Sequence, residues 1–148
     1  MIYWLTGQPG SGKTVLAKML KQYIEREENM DLFHIDGDDL RDLLINKDYS
    51  RQGRETNIKT AQTIALYLHN QGFDVVVSLV SPYRELREEF KSRTDVVEIY
   101  IHTTEERGRE QFHVSDYEEP LTDFIDVDTT NEDEITSLNK IIRNVYLT

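Results

Sequence analysis

The stretch "GQPGSGKT", Gly7 to Thr14, follows the short apolar run "IYWL" (residues 2–5), with only Thr6 between them. Its spacing, Gly-x-x-x-x-Gly-Lys-Thr, is a complete P-loop pattern, in which the backbone N–H groups of a glycine-rich loop turn inward around an anion. The residues that follow, 15–25 ("VLAKMLKQYIE"), place apolar side chains on one helical face. A strand before the motif and a helix after it therefore predict a phosphate-binding loop.

Each side chain of the loop has a chemical reason to be there. Lys13 can reach the β- and γ-phosphates of a nucleotide, and the Thr14 hydroxyl can ligate Mg²⁺. The positive end of the following helix adds to the anion site. The alternative is a turn that is rich in Gly and Ser by chance, but the context disfavours it. The predicted nucleotide site comprises Gly7, Gly10, Ser11, Gly12, Lys13 and Thr14.

Bulk composition limits the classes of partner. The chain of 148 residues fits one domain, residues 1–148, and carries a formal net charge of −11 with no cysteine. This acidity argues against docking along a nucleic acid, and no apolar run is long enough to span a membrane. The first strand begins at residue 2, so we expect no signal peptide and a cytoplasmic location. The expected partner is a small-molecule substrate, and a homodimer is one possible assembly.

Strand and helix patterns alternate along the chain. This order predicts a mostly parallel sheet of about five strands with helices on both faces, which is the three-layer α/β sandwich of the P-loop NTPases. Ligands in such sheets bind beyond the carboxyl ends of the strands. After residues 2–5, the predicted strands are 31–36, 73–80, 96–102 and 124–128, and the later predicted helices are 56–71 and 132–147.

An acidic cluster, "DGDDLR", follows the second predicted strand. A phosphoryl-transfer site needs a carboxylate near the Mg²⁺ and the attacking hydroxyl, and Asp36 and Asp38 are candidates. Arg41 could offer a bidentate fork to a substrate phosphate or sulfate. The alternative interpretation is that Asp38 caps a helix while another carboxylate faces the site.

Two further stretches place polar groups at strand ends or helix starts. In "DYSRQGRETNI", Arg54 and Asn57 can project together from a helix, and Tyr49 could stack on a base. The alternative is a solvated helix start. In "LVSPYRELR", Pro82 is predicted in the first turn of a helix that Ser81 caps, and this structural role is sufficient by itself.

Five stretches together resemble one family. "WLTGQPGSGKT", "DGDDLR", "YSRQGRETNI", "LVSPYRELR" and "DYEEP" are similar, in order and approximate spacing, to the adenylylsulfate kinases. The resemblance implies phosphoryl transfer from MgATP to the ribose 3′-hydroxyl of adenylyl sulfate, giving 3′-phosphoadenylyl sulfate. It implies catalytic roles for Lys13, Asp36 and Asp38, with Asp36 the candidate base and, with Thr14, the candidate metal site. The implied substrate-binding residues are Arg41, Tyr49, Arg54, Asn57, Val80, Ser81, Pro82 and Tyr83.

The segment 103–120 departs from the family. The family carries a longer, Lys-rich lid there, whereas this chain has no lysine between Lys91 and Lys140. Arg107, which we assign to ATP binding, and Arg109 are candidates to replace those lysines in part. The alternative is that both are solvated charges. The return segment "DYEEP" is kept, which indicates a trimmed lid.

Three functions follow from these observations. The first is an adenylylsulfate kinase with a reduced lid. The second is a kinase of the same fold that acts on another nucleotide-like or sugar acceptor, which the short lid favours. The third is a non-catalytic nucleotide-binding module, which the presence of Lys13, Thr14 and Asp36 disfavours.

Overall fold

A computed structural model describes residues 1–146 of the chain, and Leu147, inside the helix predicted over 132–147, lies outside the described residues. Strands and helices alternate, as the sequence pattern predicts. The elements are β1 (Ile2–Thr6), α1 (Lys13–Glu28), β2 (Leu32–Asp36), α2 (Gly37–Leu44), α3 (Arg51–Asn70), β3 (Asp74–Ser78), α4 (Arg84–Arg93), β4 (Val96–His102), a 3₁₀ turn (Glu110–Phe112), β5 (Ile125–Asp128) and α5 (Glu134–Tyr146).

The five strands form one sheet in the order β2-β3-β1-β4-β5, and every neighbouring pair is parallel. The predicted fold class is therefore confirmed, including the number of strands. Strand β3 is shorter than the predicted 73–80, because its ladder ends at Ser78.

Side chains alternate across the sheet and define two cores. Tyr3, Leu5 and Val76 pack with α1 and α5 on one face, whereas Trp4 and Val77 pack with α2, α3 and α4 on the other. Since successive strand residues point to opposite faces, this alternation is what a sheet buried on both sides requires. The result is the predicted three-layer sandwich.

One predicted helix start is wrong, and so is the alternative in which Asp38 caps a helix. Asp36, not Asp38, caps α2, because the Asp36 side chain accepts hydrogen bonds from the backbone N–H groups of Asp38 and Asp39. Helix α4 begins at Arg84, after Pro82, and Ser81 does not cap it. Ser81 instead adopts a φ of 44°, and its hydroxyl oxygen accepts a hydrogen bond from Trp4 Nε1 at 2.8 Å.

The carboxyl ends of the strands meet at one edge of the sheet. There the loop after β1 lies beside the start of α2, the segment after β3 and the segment after β4. This convergence follows from the parallel topology and positions the site. Within residues 1–146, no helix combines the length and the apolar composition that crossing a membrane requires.

Candidate active site

One cavity of about 880 Å³ lies at this edge of the sheet. Its volume is in the range of small-molecule sites. Most of the predicted site residues line it, whereas Gly7 and Tyr83 do not. The predicted residues that line the cavity are Gly10, Ser11, Gly12, Lys13, Thr14, Asp36, Asp38, Arg41, Tyr49, Arg54, Asn57, Val80, Ser81, Pro82 and Arg107.

The P-loop has the backbone that an anion site needs. Gly10 and Gly12 have φ angles of 83° and 106°, which favour glycine, and Gly12 caps α1 without a side-chain hydrogen bond. The first N–H groups of α1 are therefore available to a ligand. Gly7 serves packing instead, because a Cβ there would lie 2.1 Å from the Ile101 carbonyl oxygen.

Lys13 is a buried cation that forms no ion pair within residues 1–146. Its side chain is 8% exposed, and its ammonium donates a hydrogen bond of 2.9 Å to the Gln8 carbonyl oxygen. Burial lowers the pKa of Lys13 from 10.5 to about 8, although Asp38 and Asp36 act in the opposite direction. The folded protein therefore holds a positive charge that lacks full compensation.

The Asp36 carboxylate receives four hydrogen bonds. Oδ1 accepts from the Thr14 and Ser78 hydroxyls, both at 2.9 Å, and Oδ2 accepts from the backbone N–H groups of Asp38 and Asp39. Burial alone would raise the pKa of Asp36, but the hydrogen bonds from Ser78 and Thr14 outweigh it and lower the pKa. Asp36 is thus a well-anchored anion and a weak base.

The Asp38 carboxylate has a different environment. Asp38 is exposed and lines the cavity, and its charge is the first among those that favour the charged form of Lys13. Its side chain makes no hydrogen bond or ion pair with any residue in 1–146. Asp38 is therefore the carboxylate that is free to meet a substrate.

A pair of oxygen groups at the P-loop fits a magnesium ion. The Thr14 hydroxyl donates its proton to Asp36, which leaves the Thr14 oxygen lone pairs for a cation. Hydroxyl and carboxylate oxygens are ligands that Mg²⁺ prefers. The predicted metal site is therefore compatible with the structure when Thr14 is the ligand and Asp36, whose two oxygens already accept four hydrogen bonds, acts by holding Thr14.

The opposite wall carries the predicted acceptor-binding residues. The Arg41 guanidinium lies 4.1 Å from the centroid of the exposed Tyr49 ring and donates to the carbonyl oxygens of Asn46 and Asp48. Arg54 Nη1 lies 3.7 Å from Asp116 Oδ1, at the return of the 103–120 segment. These contacts hold the two arginines in place, and both still line the cavity.

Asn57 is buried deep in this wall. Its amide nitrogen donates to the Gly37 carbonyl oxygen at 3.4 Å. Its Oδ1 atom has no hydrogen-bond partner in the described part of the chain. A buried acceptor without a partner lowers stability, and a ligand donor such as a ribose hydroxyl could remove that cost by donating to Oδ1.

The side chains of the 81–83 segment support the fold. The Ser81 hydroxyl donates to the Leu79 carbonyl oxygen while accepting from Trp4. The Tyr83 ring is 1% exposed and lies under the Arg51 guanidinium, 4.1 Å from its centroid. Ser81 and Pro82 line the cavity, but the Tyr83 side chain does not.

The 103–120 segment is tied to the P-loop. The Gln8 amide makes two hydrogen bonds of 2.8 Å with the backbone of Val114, one to the N–H and one to the carbonyl oxygen. Arg107 donates to the Ser11 and Thr129 carbonyl oxygens and pairs with Glu105 at 2.9 Å. The contacts of Arg107 therefore serve mainly to hold the 103–120 segment against the P-loop.

Arg109 is the other arginine of this segment, and its guanidinium is less constrained. A Cβ built at Gly10 would lie 3.0 Å from Arg109 Cβ, so the base of the Arg109 side chain packs against the P-loop. Its guanidinium stacks on the Phe112 ring, 5.3 Å from the centroid, and no acidic partner lies near it within residues 1–146. Arg109 lines the cavity and its charge acts on Lys13.

Several residues that line or support the site are absent from the sequence predictions. Gln8 gave no signal, because any residue fits that position of the P-loop pattern. Ser78 and His34 lie within predicted strands, where polar side chains among apolar ones are a weak signal. Arg87 is buried in α4, but its neighbours in the sequence are mostly charged, so the sequence pattern predicts an exposed side chain.

Fold and site together define an α/β protein of the P-loop kinase class. A family model described as adenylylsulphate kinase matches residues 1–122. An adenylyl-sulfate kinase of Gloeothece citriformis is 31% identical over 162 residues, covering 96% of this chain and 92% of that protein. The chain therefore belongs to the adenylylsulphate kinase family, which confirms the resemblance of the five stretches.

Two other proteins help to place the chain. A cytidine diphosphoramidate kinase of Campylobacter jejuni is 36% identical over 101 residues, covering 68% of this chain and 59% of that protein. The structure of the Mycobacterium tuberculosis APS kinase in complex with AMPPNP and APS has a TM-score of 0.82 at 21% identity, covering 97% of this chain and 96% of that one. The latter similarity supports the fold.

Proposed function

We propose that the protein transfers the γ-phosphoryl group of ATP to the 3′-hydroxyl of adenylyl sulfate, giving 3′-phosphoadenylyl sulfate. One observation carries this proposal: a single cavity holds the buried Lys13 ammonium of a P-loop and also the free Asp38 carboxylate. Family membership supports the same reaction. The Gloeothece relative, which is named an adenylyl-sulfate kinase, aligns with 96% of this chain and 92% of its own length.

The donor half of the cavity is the P-loop with α1. The N–H groups after Gly12 and the Lys13 ammonium bind the phosphate tail of ATP. Thr14, oriented by Asp36, would hold Mg²⁺, which when bound neutralises charge on the phosphates. Because Asp36 already accepts four hydrogen bonds, we assign it to this anchoring role instead of the base role that the sequence analysis favoured.

The acceptor half is the wall formed by α2, α3 and the segment after β3. Asp38 orients the acceptor hydroxyl and takes its proton as the new P–O bond forms and the bond to the β-phosphate oxygen breaks. Arg41 and Arg54 bind the anionic groups of the acceptor, and Asn57 Oδ1 accepts a hydrogen bond from its ribose. Tyr49, exposed at the rim, stacks on the base.

The lid supplies charge through Arg109. The Arg107 guanidinium already donates hydrogen bonds to Ser11, Thr129 and Glu105, whereas the Arg109 guanidinium is free to reach the phosphates. One arginine therefore keeps the lid docked while the other compensates for the missing lysines. When the docked lid excludes water, the hydrogen bonds of Arg107 and the contact between Arg109 and the phosphates both become stronger.

A second acceptor class also has a specific observation behind it. The lid segment carries no lysine, and one relative is named for a different substrate, cytidine diphosphoramidate. A nucleoside diphosphate-like ester with another base or another terminal group would use the same arginines and the same Asp38.

The decisive experiment compares acceptors. The protein is incubated with γ-labelled MgATP and with adenylyl sulfate, cytidine diphosphate esters, other nucleotides, sugars or an oligonucleotide. We expect label in adenylyl sulfate, and Lys13→Met protein is the matched negative control. Exclusive labelling of a cytidine ester would replace the acceptor, and absence of label in every compound would refute phosphoryl transfer.

A further inference from the structure

His34 lies two residues before Asp36 on the same face of β2. The parallel register places Asp36 directly beside Ser78 of β3. The Ser78 hydroxyl donates to Asp36 Oδ1 at 2.9 Å, and His34 Nε2 lies 2.7 Å from the same hydroxyl oxygen. A continuous chain of hydrogen bonds therefore runs from the His34 ring through Ser78 and Asp36 to Thr14, whose hydroxyl also donates to Asp36 Oδ1.

Counting protons along this chain fixes the direction of each hydrogen bond. An ionised Asp36 carboxylate can only accept, and a serine hydroxyl has one proton to donate. If Ser78 gave that proton to His34, two oxygens without a proton between them would face each other at 2.9 Å. His34 Nε2 must therefore carry a proton and donate it to the Ser78 oxygen.

We propose that His34 is a positioning residue that acts through Ser78 on the metal-binding pair Thr14–Asp36. By holding the Ser78 hydroxyl in one rotamer, the ring keeps Asp36 Oδ1 oriented toward Thr14. Thr14 then donates its proton to Asp36 and presents its lone pairs to the cation. This inference rests on the role given to Thr14 and Asp36 in the proposed function.

A purely structural role for His34 is the competing explanation. Ser78 is 2% exposed, so its hydroxyl needs partners in any case, and losing His34 would destabilise the fold under both explanations. The proton on Nε2 follows from the hydrogen bonds under both explanations. Only the positioning role predicts that loss of the ring weakens Mg²⁺-dependent ATP binding, and that another side chain with a donor at the same place restores it.

The first test is the ¹⁵N spectrum of the His34 ring in the wild-type protein, at a pH where the ring is neutral. We expect the proton on Nε2 and a free Nδ1. A ring that carries its proton on Nδ1 would overturn the proposal, because Ser78 would then donate to His34. This measurement needs no variant, so it can overturn the proposal even if substitutions at His34 fail to fold, and the Mg²⁺ dependence of ATP binding then separates positioning from a structural role.

The second test is calorimetric titration of ATP with and without Mg²⁺. His34→Leu removes the donor, and we expect it to weaken Mg²⁺-dependent ATP binding about tenfold, as loss of an outer-sphere partner does. ATP binding without Mg²⁺ should not change. His34→Gln places an amide N–H where Nε2 lies and should restore most of the lost affinity, and Ser78→Ala should reproduce the loss.

Two outcomes would contradict the positioning role. One is unchanged Mg²⁺ dependence in His34→Leu, and the other is an equal loss in His34→Leu and His34→Gln. Because calorimetry needs no acceptor, these results are independent of the acceptor panel. A wild-type protein that labels no acceptor would refute the proposed function while leaving the calorimetric comparison readable.

Discussion

Lys13 and Arg87 are both buried cations, 8% and 3% exposed, yet their surroundings differ. The Arg87 guanidinium donates to Glu98 at 2.8 Å, to the Ser81 carbonyl oxygen at 2.6 Å and to the Glu118 carbonyl oxygen at 2.5 Å. Among the residues that the structure describes, the Lys13 ammonium has one hydrogen bond, to the Gln8 carbonyl oxygen. A buried charge with all its partners in the protein holds the fold together, whereas one without them is kept for a ligand.

The two sites are also connected in space. Arg87 fixes the Ser81 carbonyl, and so the segment after β3 that forms one wall of the cavity. Glu98 binds Lys91 as well, at 2.8 Å, which closes a buried network behind that wall. The Arg87 network thus holds in place the cavity wall that faces Lys13. The buried Lys13 charge itself lowers the stability of the fold, and a bound polyphosphate would offset that loss.

Lys13→Met should give the largest effect. Removing the positive charge from the transferring phosphate should lower kcat/KM about 10³–10⁵-fold, as loss of a cation at a transferring phosphoryl group does. The same change should raise the free energy of unfolding of the ligand-free protein by on the order of 1–3 kcal/mol, because the buried charge is gone. Steady-state kinetics and denaturant unfolding check the two parts, and a variant that is both active and less stable would contradict them.

Arg87→Met should show the opposite pattern. Leaving Glu98 buried without its guanidinium partner should lower the free energy of unfolding by about 3–5 kcal/mol. The matched control is the double variant Arg87→Met/Glu98→Leu, which should recover part of that loss because no carboxylate remains to be paired. Urea unfolding measures both, and a stability of Arg87→Met equal to that of the wild type would show that the network is dispensable.

Asp38→Asn and Asp36→Asn should separate two roles within one acidic pair. Asp38→Asn should lower kcat about a hundredfold while leaving the MgATP dissociation constant nearly unchanged, since it removes a base. Asp36→Asn should mainly raise the Mg²⁺ concentration that is required, because it removes an anchor of Thr14. A large fall in kcat for Asp36→Asn at saturating Mg²⁺, with Asp38→Asn active, would return the base role to Asp36.

Arg109→Ala should have the smallest effect. One charge-assisted contact to a phosphate accounts for about a tenfold loss in kcat/KM for MgATP. Arg109→Lys, which keeps the charge, should retain more activity than Arg109→Ala. Arg107→Ala should instead lower thermal stability, because Arg107 ties the lid to the P-loop and to Thr129. Equal kinetic losses without a stability change would contradict this division of labour.

The sequence predicts the fold and the donor half of the site well. The P-loop pattern and the apolar runs are local signals, so the five strands, the sandwich and the positions of Lys13 and Thr14 follow from them. The acceptor residues Arg41, Arg54 and Asn57 rest on the family resemblance, and the structure brings them to the cavity. Their roles stay predictions.

The errors and omissions concern local backbone geometry in one case and long-range partners in the others. Asp36 and Asp38 are two residues apart, and which of them caps α2 depends on backbone angles that composition does not show. Ser81 does not cap α4 because the helix begins only at Arg84, and the Ser81 hydroxyl bonds instead with Trp4, far away in the chain, and with the Leu79 carbonyl oxygen. The partners of Arg87 lie on a strand and a loop that only the folded sheet brings near.

The most direct test of the account is the pKa of the Lys13 ammonium, measured by NMR in the free protein and with a nonhydrolysable ATP analogue and Mg²⁺. We predict a pKa of about 8 in the free protein, lowered chiefly by burial, and a clear rise when the phosphates bind. Affinity for MgATP should then fall as the pH increases above that value, because the free protein loses the charge. A pKa near the ordinary 10.5 in the free protein, unchanged by nucleotide, would contradict the central claim that Lys13 is a charge held for a ligand.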